Sequence, residues 1–263
     1  FIGMVGYDNI TDKAQPTTPV QQEQQKVSKH EKSAAMALFV SLLPPKEEWP
    51  SPVHKFYLAF NMDEVIDPIR QNPNWTSLDA MSRDIPQALI AIEDHAFYNH
   101  GAIAVEGILR AALANINAGE VVQGGSTLTQ QFVKNVFLSH EQSMERKIEE
   151  AVLSLMLEDN YCKDEILELY LNTTYFGAGS TGIRQASKTY FGKAPSALTL
   201  AEAAVIASLP YAPTGLNPLE NPEGCKKRQL LVLTAMHKYG MINQGQLAEA
   251  KAEKIRLTNG TVM

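Results

Sequence analysis

Within Glu93-Asp94-His95-Ala96-Phe97-Tyr98-Asn99-His100-Gly101 the chain gathers two adjacent carboxylates, two histidines and two aromatic rings. A glutamate held at such a place can act as general base or acid, because burial and neighbours tune its proton affinity. The plain alternative is a solvated helix end that carries a Glu-Asp pair. A second cluster follows at Gly124-Gly125-Ser126-Thr127-Leu128-Thr129-Gln130-Gln131-Phe132-Val133-Lys134-Asn135. Its glycines let backbone approach a ligand, and the free N–H groups of a helix start suit an anion. Thr127, Gln130, Gln131 and Lys134 fall on one helical face, with Leu128, Phe132 and Val136 turned to the core. A hydroxyl, two amides and an ammonium in that order suit a polyhydroxylated, anionic ligand; a capped, solvent-exposed amphipathic helix is the bland reading.

The third cluster, Arg146-Lys147-Ile148-Glu149-Glu150, reads by itself as a surface ion pair, since Arg146 and Glu150 are i,i+4 neighbours. The fourth, Lys163-Asp164-Glu165-Ile166-Leu167-Glu168-Leu169-Tyr170-Leu171-Asn172 and on to Gly177, joins a good helix to an aromatic-glycine exit. Taken alone it reads as structural.

Helices must position these clusters. The apolar run Ala88 to Ile92 behind Pro86 predicts a buried helix that anchors Glu93. Val105–Asn117 is predicted helical, and Ser126 or Thr127 caps a helix running to about Leu138. Met144–Asp159 follows, with Ile148, Val152, Leu155 and Met156 in one stripe. Further helices are predicted at Asp164–Asn172 and at Ile183–Phe191, the latter stopped by Gly192. Thr199-x-x-Glu202 is a capping box heading the segment to Leu209. Helices at about Glu223–Tyr239, stopped by Gly240, and Gln244–Lys254 close the chain. No alternating strand pattern of convincing length appears, so the fold class is mainly α. Phe56–Ile69 has mixed periodicity and receives no assignment.

Composition narrows the function classes. The 263 residues are 44% hydrophobic and 20% charged, ordinary for a globular chain with a sizeable core. A net charge of −6 announces no basic face for nucleic acid. Cys162 and Cys225 are the only cysteines, far apart, so neither a disulfide scaffold nor a cysteine zinc site fits. One bridge between them stays open beside the reading as two buried thiols. No apolar run reaches the length of a membrane span. The chain begins at Phe1 rather than Met, which leaves room for an upstream segment. Residues 1 to 50 read as a polar tail or linker with a short helix near Ser33–Leu43, and 51 to 263 as the main domain.

In this order the four clusters resemble the motifs of the peptidoglycan glycosyltransferases, whether monofunctional enzymes or the N-terminal domain of class A penicillin-binding proteins. A further match is Tyr190-Phe191-Gly192-Lys193 followed by Leu200-Ala201-Glu202-Ala203-Ala204. The resemblance covers roughly Asp84 to Met236, and its second and fourth motifs are long and specific. It implies a lysozyme-like helical transglycosylase fold with a smaller membrane-facing lobe at about 102–123. It also implies polymerisation of lipid II onto a nascent glycan strand by inverting transfer, with loss of undecaprenyl pyrophosphate.

By the same resemblance Glu93 matches the family's general base and Glu150 a second glutamate near the leaving group or a phosphate ligand. The matching substrate-binding positions are Asp94, Phe97, His100, Gly125, Ser126, Thr127, Gln130, Gln131, Lys134, Asn135, Arg146 and Lys147. No cofactor is obligatory; a divalent cation such as Mg²⁺ near Glu150 is compatible. The implied setting is the outer face of the bacterial inner membrane, among cell-wall synthesis proteins, with moenomycin-type phosphoglycolipids as inhibitors. Ile103 and Val105 are expected to join an apolar patch that dips into the bilayer. The chain departs from the pattern at Ala102 and Ala104, where the family carries glycine and an acid, and around Gln229, departures that bear on fine substrate positioning. The rival readings are a lytic transglycosylase or hydrolase and a non-catalytic glycan-binding module. A hydrolase needs a neutral carboxylic acid to protonate its leaving group, which the cationic residues around Glu150 disfavour.

Overall fold

A computed structural model gives the fold and describes residues 57, 58, 60–104, 125–138 and 143–263. A boundary after Tyr57 divides the chain, and the unit Leu58–Met263 carries the candidate site. The expected tail over residues 1 to 50, the helices near Ser33 and at Val105–Asn117, and the lobe core lie outside the described residues.

The described helices are α1 (Asp63–Arg70), α2 (Asp84–Glu93), α3 (Leu128–Phe137), α4 (Met144–Asn160), α5 (Lys163–Thr173), α6 (Ile183–Phe191), α7 (Leu200–Ser208), α8 (Pro222–Lys238) and α9 (Gln244–Ala252). Among the described residues β-pairing is limited to two isolated bridges, Tyr175 with Thr181 and Arg256 with Val262. The mainly α reading therefore holds. Helix α1 fills the stretch that sequence periodicity left unassigned, and it carries Pro68 inside it.

Two groups of helices position the site. In the first, α7 packs on both α2 and α8. Ala88 of α2 and Ala201, Ala203 and Ala204 of α7 have no exposed surface. Such small side chains let helix axes approach closely, and Leu89, Val205, Val232 and Leu233 are buried in the same core. In the second, α3 lies against α4 and α5. Helix ends follow local chemistry. Thr127, Thr199 and Asn243 each form a reciprocal capping box with the glutamine or glutamate three residues on. Gly192 ends α6 in the left-handed conformation that a side chain would resist.

Helix α4 corrects an expectation. Its apolar stripe exists but faces outward: Met144, Ile148, Val152 and Leu155 are exposed, while Met156 packs at the core's edge. The buried face carries Glu150, Leu153, Ser154 and Leu157. Glu150, at 1% exposure, is thus no surface ion-pair partner. Inward burial of a carboxylate is tolerated because two cations accompany it. The cysteines correct another expectation: Cys225 is buried, its thiol pushed up to about 11 by burial, but Cys162 is exposed at the start of α5, and both are free.

Candidate active site

Helix α2 ends at Glu93, and the two consecutive carboxylates part company there. Glu93 is half-buried, and its Oε2 accepts a hydrogen bond of 3.0 Å from Gln131 Nε2 on α3. Asp94 turns the other way and is buried. Its Oδ2 accepts from the Leu128 backbone N–H at 3.1 Å, and its Oδ1 lies 2.6 Å from His100 Nε2. The other ring nitrogen of His100 is 2.6 Å from the Gly101 carbonyl. The anion at the start of α3 is therefore the protein's own Asp94, where an external ligand was expected. Orphan N–H groups and the helix dipole favour any nearby carboxylate, and Asp94 is held within reach.

The expected ligand-binding face of α3 is likewise thinned. Thr127 and Gln130 are buried in the capping box: Thr127 Oγ1 accepts from Gln130 N–H at 3.1 Å and donates to the Ala102 carbonyl at 2.8 Å. Gln130 Oε1 accepts in turn from Thr127 N–H at 3.0 Å. Gln131 is half-buried beside Glu93, while Lys134 and Asn135 are exposed. Phe97 also differs from expectation: it has no exposed surface, lies edge-on to Tyr98, and carries the Lys163 ammonium 4.5 Å above its ring. It is a core residue that holds the turn after Glu93. His95, next in sequence to Asp94, stacks on Tyr239 at the end of α8 with ring centroids 4.2 Å apart.

The second half of the site hangs on the segment before α3. Gly125 and Ser126 are half-buried, and Ser126 Oγ accepts from Lys147 Nζ at 3.0 Å. Lys147 Nζ also bonds Glu150 Oε1, while Arg146 donates to Glu150 Oε2 at 3.0 Å. Both oxygens of this buried acid thus face cations. Arg146 Nε is buried and has no partner among the described atoms, an atom suited to a further acceptor. Each Glu150 oxygen already accepts from one cation, Arg146 or Lys147, so a divalent cation there would have to share the carboxylate with two positive charges. Among the described residues no cluster of histidine, cysteine or acid has the makings of a metal site.

Hydrogen bonds through α3 and its leading residues therefore join Glu93, Asp94, Ser126, Gln131, Arg146, Lys147 and Glu150 into one assembly. Sequence reasoning missed Tyr170, whose hydroxyl donates to Gln131 Oε1 at 3.0 Å from within the core. The available signal was a hydroxyl on an otherwise apolar stretch, Leu169-Tyr170-Leu171. Of the departures, Ala102 supplies the carbonyl bound by Thr127, Ala104 is half-buried, and Gln229 is a buried tie whose Nε2 donates to the Ala201 carbonyl at 2.8 Å. Ile103 is half-buried, and Val105 lies outside the described residues.

The sequence profile of the transglycosylase family matches residues 62–237 of this chain. The chain belongs to that family, the peptidoglycan glycosyltransferases. A protein of Cupriavidus necator that carries a provisional transglycosylase name is 40% identical over 194 residues, covering 74% of this chain and 84% of its own. Penicillin-binding protein 1A of Neisseria flavescens is 44% identical over 70% of this chain and 23% of its own length. Penicillin-binding protein 2D of Bacillus subtilis is 44% identical over 69% and 26%. The chain thus spans about a quarter of these two penicillin-binding relatives. The family match makes this chain a glycosyltransferase and encloses both halves of the assembly, Glu93 to Glu150. No described helix is long and apolar enough to cross a membrane.

Proposed function

We propose that this glycosyltransferase polymerises lipid II at the assembly around α3, with Glu93 as the general base. A sugar hydroxyl is a poor nucleophile at neutral pH, and a positioned carboxylate can take its proton as the new bond forms. The acceptor's 4-hydroxyl O–H bond breaks and its proton passes to Glu93. The oxygen attacks the anomeric carbon of the growing strand, and the C–O bond to the diphosphate breaks with inversion. Undecaprenyl pyrophosphate leaves with the electron pair. It needs no proton, but its growing charge needs compensation, which Lys134, Arg146 and Lys147 would supply. Glu150 would hold Arg146 and Lys147 in place through that step. Reaction at a membrane surface follows from the lipid, since each methylene removed from a bilayer costs about 0.8 kcal/mol, and the face we propose is the outer one of the inner membrane. Moenomycin-type phosphoglycolipids, with a phosphate and a lipid of their own, would compete for the same cations.

The observation that carries this reading is the Gln131–Glu93 bond on the helix whose leading residue, Ser126, also binds Lys147. One short segment thereby sets a base and a cation pair for opposite ends of a sugar diphosphate. The test is lipid II polymerisation by Glu93→Gln, with muropeptide release from intact sacculi measured in parallel. Polymerisation should fall by at least ~10²-fold in the variant relative to wild type, with lipid II binding retained. Near-normal turnover by Glu93→Gln would remove the base assignment, and release of muropeptides without polymer would indicate a lytic enzyme.

A further inference from the structure

We infer that Tyr170 is a positioning residue for the base: through Gln131 it fixes the Glu93 carboxylate so that Oε1 is the oxygen that takes the proton. This rests on the reading of Glu93 as the base. Glu93 is the last residue of α2, where a helix end has fewer backbone bonds to steady it. Gln131 reaches it by a flexible side chain that is only half-buried. Tyr170 is different in kind: it is 1% exposed in the last turn of α5 and has a rigid ring packed in the core. Its hydroxyl donates to Gln131 Oε1 at 3.0 Å, and Gln131 Nε2 donates to Glu93 Oε2 at 3.0 Å.

The two ends of an amide have nearly the same shape and opposite hydrogen-bonding character. A flipped Gln131 would set its carbonyl oxygen against the Glu93 carboxylate, two acceptors facing each other. A phenol that donates to the carbonyl end holds the amide against that flip. Tyr170 remains a phenol across the working pH range, because burial first and the Glu93 charge second drive its pKa far up, with the Thr174 hydroxyl opposing more weakly. The line Tyr170–Gln131–Glu93 thus runs donor to acceptor twice, from a fixed core ring to Oε2. The other carboxylate oxygen, Oε1, is left for the incoming hydroxyl proton.

Steady-state kinetics of the full chain on lipid II in detergent test this, with Tyr170→Phe, Gln131→Met and the double variant. Tyr170→Phe keeps the ring and removes the donor. Its kcat should fall about tenfold, the loss of one modest hydrogen bond at the transition state, with KM changed less than about twofold. Gln131→Met should lose more, and adding Tyr170→Phe to it should cost nothing further, since the link is already broken. An unchanged kcat in Tyr170→Phe, or losses that multiply in the double variant, would overturn the inference. Glu93→Gln run alongside separates the two ideas. If it is inactive while Tyr170→Phe is normal, only the positioning role fails; if it is active, the base reading fails.

Discussion

Helices α7 and α4 are built on opposite rules. Every residue of α7 from Ala201 to Ser208 is buried, and its Ala-rich composition says so in advance. Helix α4 turns Glu150 and Ser154 inward and leaves Met144, Ile148, Val152 and Leu155 in the open. Burial on α7 takes in its Ala-rich surface and also Glu202, whose partner is Lys193, and its neighbours α2 and α8 make a scaffold. Burial on α4 is mixed: Leu153 and Leu157 go inside with Glu150 and Ser154 while four apolar side chains stay outside, and the acid it hides is part of the candidate site. The difference teaches that in this molecule a helix that leaves much of its apolar surface outside while it takes an acid inside, more than a charged sequence run, marks where chemistry is housed.

The contrast can be broken most violently on the scaffold side. Ala204→Asp would place an unpaired charge among α2, α7 and α8, and should cost about 4 kcal/mol or more, read by denaturant unfolding. A variant that folds normally would mean that α7 is not the closed scaffold its burial indicates. On α4, Glu150→Gln keeps the shape between Arg146 and Lys147 but removes the charge. Polymerisation should drop about 10²-fold, the scale for losing one fixed electrostatic partner, in protein whose far-UV circular dichroism is unchanged. Activity within about twofold of wild type would reduce Glu150 to a structural acid. The smallest effect belongs to the outer face: Val152→Lys should alter unfolding free energy by no more than about 0.5 kcal/mol. A loss of about 2 kcal/mol would show that this face is covered in solution.

What could be read from the sequence was mostly local. Caps at Thr127 and Thr199 and stops at Gly192 and Gly240 depend on a few adjacent residues, and they stand where the sequence placed them. The order of the four clusters was likewise enough to name the family. Facing was not legible. A period of 3.6 finds the stripe on α4 without saying which side is inside, and the leucines that go inside, Leu153 and Leu157, lie off that stripe. Spacing alone could not divide the labour between Glu93 and Asp94; the resemblance made Glu93 the base and Asp94 a substrate-binding position, and Asp94 turns to Leu128 and His100. Phe97 was legible as part of a motif and illegible as core. Tyr170 was passed over because the helix that carries it looked purely structural.

Glu93 and Asp94 bind residues of α3 that are three apart, Gln131 by its side chain and Leu128 by its backbone. Two consecutive residues on one segment thus mesh with one turn on another, like a key cut with two teeth. Adding or deleting one residue between Glu93 and Asp94, or between Leu128 and Gln131, would put the two teeth out of register. A change of length in either short stretch would therefore cost this pairing even where every side chain is kept.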